Sequence, residues 1–262
     1  MSYISNPINI TPSDFAEYCY CGIKWAFSKG EWKNVYFEQS AHLSDSQIEK
    51  IENRKQLNVG QKNEKLCINY VINSASTFDE SEIIFDGTTA EKKLLKTNLV
   101  IDNKRILAKP DLILELHKSN SIYNVLFEFK AVKKKEYLKL DVFDSILAQL
   151  WCYTYLVDIK IDAYFLLRYH KNPLEKNNVK SQRFTKEDLN NKGFDSLFGQ
   201  YVQAIKKLEE ANSIDPSVDS SSFNPPVKEE DIKRKCKNCS YNFICIRNGW
   251  KWKEKSWQDY IY

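Results

Sequence analysis

A chain of 262 residues that is 42% hydrophobic and 28% charged can bury a sizeable core and has the balance of an ordinary globular protein. Its net charge of +4 permits a nucleic-acid partner without arguing for one. No apolar run reaches the roughly 18 residues of a membrane span, and "MSYISNPINI" lacks the basic-then-apolar pattern of a signal peptide, so the expectation is a cytoplasmic protein.

The first predicted element is a helix beginning at "ITPSDFAEYC". Thr11 can cap it, Pro12 suits its first position, and Asp14 sits at the third. Phe15, Ala16, Tyr18 and Cys19 then recur at helical spacing. Residues 44–73 read as a polar helix with Ile48, Ile51, Leu57, Leu66 and Tyr70 as scattered apolar points. After residue 80 the pattern changes. "EIIFDG", "NLVID", "RILAKPDLILEL" and "IYNVLFEFKAV" read as successive strands and hairpins. "DVFDSILAQLWCYTYLVDI" reads as a buried helix, and "DAYFLLRYH" as another strand. "KEDLNNKGFDSLFGQYVQAIKKLEEAN" reads as a helix interrupted near Gly193. A Ser-, Pro- and Asp-rich loop leads to a cysteine-rich tail. This order gives an α/β (α+β) fold with a small mixed central sheet flanked by helices.

Charged residues inside the strands carry the chemistry. Glu128 and Lys130 are two apart in a strand pattern, so both point to one face while Phe127, Phe129 and Ala131 point to the other. That face is either open to water or built around a divalent cation. Asp111 follows Pro110, which favours extended backbone, and a hairpin can set it beside Glu128. Two adjacent carboxylates repel unless a cation lies between them, and Mg²⁺ commonly takes one or two carboxylates and keeps several waters. A neighbouring lysine can orient or deprotonate an attacking water and stabilise phosphate charge, as phosphodiester hydrolysis requires. Gln149 and Tyr153 lie one helical turn apart on the next helix and share a face. Glu64, one turn after Gly60, is either a third carboxylate of the site or a solvated surface residue.

In this order the residues resemble the PD-(D/E)xK nuclease superfamily. Asp111 matches its aspartate, Glu128-Phe129-Lys130 its ExK, and Gln149 to Tyr153 the QxxxY motif of the RecB-like branch. The resemblance implies a restriction-endonuclease-like core. Asp111 and Glu128 would bind Mg²⁺ or Mn²⁺, joined by Glu64, and Lys130 would position water. Gln149 and Tyr153 would orient substrate or neighbouring groups.

The tail "CKNCSYNFIC" holds three of the seven cysteines in a C-x2-C-x5-C spacing. Disulfides are not expected in a reducing compartment, so the cluster points first to metal. Four thiolates suit zinc or iron–sulfur about equally. One RecB-like subgroup holds a 4Fe–4S cluster with such a triplet plus a cysteine near the N-terminus. By that resemblance Cys236, Cys239 and Cys245 are joined by Cys21, with Cys19 as its competitor. Cys67 and Cys152 read as ordinary buried thiols.

Within this subgroup the chain is most similar to the CRISPR-associated Fe–S exonucleases, the fourth Cas protein family, over residues 8 to 247. The implied organisation is a single nuclease domain, 1–262, with a catalytic core over 60–210. Residues 10–30 and 226–262 would jointly form the Fe–S region. The implied activity is DNA exonuclease cleavage, on single-stranded ends, in trimming spacer precursors alongside the Cas integrase. One departure stands out: the family has a histidine where this chain has Glu64. His42, His117 and His170 lie elsewhere and read as surface or structural. Lys133, Lys134 and Lys135 follow the Glu128 strand and read as DNA-backbone contacts or a solvated turn. Trp250, Trp252 and Trp257 alternate with lysines, a pattern suited to stacking on unpaired bases, to a packed C-terminal helix or to a partner surface. Rival readings are a RecB-like Fe–S nuclease of repair or of a virus, a non-catalytic DNA-binding adaptor, and a zinc-stapled structural protein.

Overall fold

The structure is a computed structural model and describes residues 8–29, 54–88, 95–101, 104–132, 134–175, 177–210, 251–252 and 255–256. The chain divides into two compact units, residues 54–193 and residues 1–53 with 194–262.

The first of these is an α/β unit. It opens with helix α3 (Arg54–Ser74), whereas α1 (Pro12–Tyr20) and α2 (Gly22–Phe27) belong to the other unit. Strands β1 (Glu80–Asp86), β4 (Leu112–Lys118), β5 (Ser121–Ala131), β6 (Ala163–Tyr169) and β7 (Val179–Phe184) form one five-stranded sheet in the order β1-β4-β5-β6-β7. All neighbours are antiparallel except β5 and β6, so the sheet is mixed. β2 (Leu95–Ile101) and β3 (Lys104–Ala108) make a separate hairpin.

Local chemistry explains the breaks. The run "RILAKPDLILEL" is rich in Ile and Leu on both sides of Lys109-Pro110-Asp111, yet it divides there between two sheets. Pro110 has no N–H to give a ladder, which favours a break there. β4 and β5 join through Ser119 and Asn120, both with positive φ (49° and 66°), as a two-residue hairpin turn requires. The parallel β5–β6 pair needs a crossover. A 3-10 turn (Lys135–Leu138) and helix α4 (Asp144–Leu156) supply it. One sheet face packs Leu112, Leu114, Phe127 and Phe129 against Cys67 and Ile68 of α3. β7 was not anticipated: in "VKSQRF" only Val179 and Phe184 are apolar, because an edge strand can keep most of its side chains wet. Helix α5 (Lys186–Asn190) carries a capping box between Thr185 and Asp188 and ends before Gly193, whose φ of 72° makes the expected interruption.

The second unit contains α1 (Pro12–Tyr20), α2 (Gly22–Phe27) and α6 (Phe194–Glu210). Thr11 caps α1 by accepting from the Asp14 N–H at 3.0 Å, and Pro12 fills the first turn. Phe15 and Tyr18 of α1 and Trp25 of α2 enclose Tyr201 of α6, with ring centroids 5.2–5.5 Å from it. Residues 251–252 and 255–256 pair as a short hairpin, where the tail was read among other things as a helix. Among the described residues no helix is long and apolar enough to cross a membrane.

Candidate active site

The α/β unit gathers five of the sequence-selected polar residues at one place. β4 and β5 pair with Leu112 opposite Phe127, so the next position sets Asp111 beside Glu128. The Phe129 N–H donates to Asp111 Oδ2 at 2.7 Å, fixing the carboxylate against the neighbouring strand. Asp111 is held from its other side too. The Gly87 N–H at the end of β1 donates to the Asp111 carbonyl at 2.9 Å. A Cβ at Gly87 would lie 2.7 Å from the Pro110 carbonyl oxygen, so the approach is open only to glycine.

Glu128 is 1% exposed in the middle of β5. Alternation puts it on the face opposite Phe127 and Phe129, and α4 covers that face. A buried carboxylate needs donors, and Glu128 has three. Lys130 Nζ lies 2.5 Å from Oε1, and Gln149 Nε2 donates to the same oxygen at 2.8 Å. The Tyr153 hydroxyl lies 3.2 Å from Oε2 and 3.1 Å from the Lys109 carbonyl, and it accepts from Gln149 at 3.1 Å. Gln149 and Tyr153 are therefore the polar stripe of an otherwise apolar helix, aimed at one carboxylate. Both are buried.

The electrostatics are those of a charge cluster short of cations. Burial, and then the charge of Glu128, hold the Asp111 carboxyl well above the usual carboxylate range, against Lys130 and the Phe129 hydrogen bond. Glu64 on α3 is half-buried, and burial and then Glu128 push its carboxyl up as well. Burial pulls the Lys130 ammonium down, but Glu128 and Asp111 outweigh it and hold the group charged. Burial, followed by Glu128 and Asp111, keeps the Tyr153 hydroxyl far from ionising, so it serves as a neutral donor and acceptor. Cys67, 2% exposed, has its thiol pushed up to about 12 by burial and by Glu64 and Asp111, which fits an inert core thiol.

Among the described residues no three His, Cys, Asp or Glu side chains are gathered into one ligand set. Glu64 stands near enough to feel Glu128 but does not complete a three-carboxylate cage. Asp111 and Glu128 form a pair, and two carboxylates with water in the remaining positions fit the coordination habit of Mg²⁺.

No family model matches the sequence. No curated protein matches it either. A solved structure similar to this chain is an alkaline exonuclease from Laribacter hongkongensis. Its identity is 9% and its TM-score 0.43, over 77% of this chain and 90% of that chain.

His117 contacts Glu115 at 2.8 Å on β4, and His170 contacts the Val132 carbonyl at 3.0 Å, so both have structural partners. Lys134 and Lys135 are exposed on the turn after β5, whereas Lys133 lies outside the described residues. So do His42, Cys236, Cys239 and Cys245. Cys21 is half-buried at the break between α1 and α2, and Cys19 is buried inside α1. Three contributors went unseen in the sequence. Gly87 could have been suspected from its place at the end of "EIIFDG". Lys109 contributes a carbonyl, which no side-chain motif reveals. Arg168 sits in an apolar strand run, and its role depends on what folds over it.

Proposed function

We propose that this chain is a divalent-cation-dependent nuclease that hydrolyses phosphodiester bonds in DNA, acting as an exonuclease on single-stranded ends. The observation that carries the reading is Asp111 and Glu128 side by side across two strands, with Lys130, Gln149 and Tyr153 hydrogen-bonded around Glu128. Asp111 and Glu128 would hold Mg²⁺ or Mn²⁺, with Glu64 adjacent. When bound, the cation supplies Lewis-acid charge to a phosphoryl oxygen and to the attacking water.

The chain's own groups do the rest. Lys130 is held charged, so it acts as a donor that orients water or a phosphate oxygen. Gln149 and Tyr153 fix the rotamer of Glu128. Water attacks phosphorus through its oxygen and releases one proton to solvent, one P–O ester bond breaks with its electron pair leaving on the sugar oxygen, and that oxygen takes up a proton from solvent. Lys134 and Lys135, with Lys133, would contact the backbone. Binding would then weaken as salt rises.

The motif order and the C-x2-C-x5-C spacing support placing the chain beside the CRISPR-associated Fe–S exonucleases, in spacer trimming with a Cas integrase complex. A 4Fe–4S cluster on Cys21, Cys236, Cys239 and Cys245 is part of this proposal. Cys21 is supported over Cys19 by its half-buried place at a helix break. Cleavage of labelled single-stranded DNA with Mn²⁺ tests the nuclease reading. Glu128→Ala and Lys130→Ala should each lose cutting by about a hundredfold or more, in the range for one positioned charge in a dry site. Undiminished cutting by either variant overturns the reading.

A further inference from the structure

Arg168 is a buried arginine, 4% exposed in the middle of β6. A buried guanidinium is costly without partners. Its partners here are unusual: no carboxylate lies within ion-pair distance of it among the described residues. Nη1 donates to the carbonyls of Leu140 at 2.8 Å and Tyr137 at 3.3 Å. Nη2 donates to the Leu138 carbonyl at 3.3 Å and to Gln182 Oε1 at 3.0 Å. Three of the four acceptors belong to the 3-10 turn and the residues just after it. The last carbonyls of any helical turn have no partner within it, and here one side chain collects them.

The register says where this happens. Lys130 of β5 is paired with Arg168 of β6, and residues opposite one another in a ladder share a face. Arg168 therefore projects on the Lys130 and Glu128 side of the sheet, one strand over, and holds the turn there. The same turn carries Lys135, with Lys134 just before it as the N-cap, and both are exposed. Four hydrogen bonds from a planar fork fix the turn in both position and tilt, as an ammonium group could not.

We propose that Arg168 is a positioning residue that pins the 134–140 turn against the active-site face, so that Lys134 and Lys135 form a preset edge for phosphates of single-stranded DNA. The proposal rests on the nuclease reading for its ligand and on the hydrogen bonds above for its geometry. Arg168 itself touches no substrate.

The test combines two readouts on the full chain. In the first, trypsin cutting after Lys134 and Lys135 is timed in wild type and in Arg168→Lys, which keeps the charge and serves if Arg168→Met fails to fold. Cutting there should quicken by about tenfold, since loss of about 1.4 kcal/mol of local ordering is a tenfold change. In the second, binding of a labelled single-stranded oligonucleotide in EDTA is titrated against salt. Lys134→Gln with Lys135→Gln should weaken binding in wild type and lower the salt slope by roughly 0.7 per lost contact. In the Arg168→Lys background the same pair should change almost nothing, because the edge is already lost. Unchanged trypsin cutting overturns the proposal, and so do additive losses in the double-mutant comparison. If the lysine pair has no effect in wild type while Mn²⁺-dependent cutting persists, the proposal falls and the nuclease reading stands. If cutting is absent with normal binding, the nuclease reading falls alone.

Discussion

Asp111 carries a stability cost that the proposed cation would offset. Its carboxyl is held above the usual range by burial and by Glu128, so the folded chain binds a proton more tightly than the unfolded chain. Stability therefore falls as pH rises from about 3.9, the ordinary carboxylate value, through the raised folded value. At neutral pH without a cation, Asp111 is a net cost. Asp111→Asn keeps an oxygen for the Phe129 N–H and removes the repulsion. We expect its Tm in EDTA to rise by about 2–4 °C, the shift that roughly 1 kcal/mol gives a chain of this size. Mn²⁺ should raise the wild-type Tm and leave that of Asp111→Asn nearly unchanged, as differential scanning calorimetry would show. Lys130 supplies the complementary experiment. Its ammonium occupies the Glu128 oxygen that a cation would use. Lys130→Met should bind Mn²⁺ about tenfold more tightly, some 1.4 kcal/mol, while cutting is lost. Weaker Mn²⁺ binding, measured by titration calorimetry, would show that the lysine assists the cation instead.

At the scale of elements, the site is the meeting of one hairpin and one helix. Alternation along β5 placed Glu128 and Lys130 together, and helical spacing placed Gln149 and Tyr153 together. These are local rules, and they were legible. What the helix spacing did not reveal was its target, because contact between α4 and β5 depends on the crossover. Gly87 shows the same limit. Nothing in "EIIFDG" says that its backbone will lie against Pro110 and Asp111. Gly87→Ala should force that contact apart, at a cost of roughly 1–3 kcal/mol for an overpacked position. The displaced carboxylate should lower Mn²⁺-dependent cutting at least tenfold in kcat, with KM for DNA little changed. Unaltered kcat would mean that Gly87 is only a turn residue. The edge strand β7 went unread for a different reason: with Val179 and Phe184 as its only apolar residues, alternation leaves too little signal.

Across the whole molecule, the chain runs from one compact unit into the other and back. Residues 1–53 and 194–262 share a unit, although the whole α/β unit separates them in sequence. Cys21 belongs to this unit, and the cysteine triplet lies outside the described residues. If Cys21 is the fourth ligand, Cys21→Ser should abolish the broad absorbance near ~400 nm expected of thiolate-bound iron–sulfur, and Cys19→Ser should leave it. Cys19→Ser should instead cost stability alone, because it places a hydroxyl among buried groups. The reverse pattern would reassign the ligand, and a colourless, zinc-loaded wild type would remove the cluster.

By itself the amino-acid sequence determined which residues could act and which neighbours share a face. Periods of two and of 3.6 are properties of the backbone and need no partner. The mixed α/β class and the strand–helix order, β7 excepted, followed from the same periodicity. Only the tertiary structure decided that Asp111 meets Glu128 in register, that α4 closes over them, and that Gly87 and Arg168 hold the surroundings. Those outcomes depend on strand pairing and on burial. Burial is what turns one strand's carboxylate and lysine from a wet surface into a hydrogen-bonded pair covered by α4.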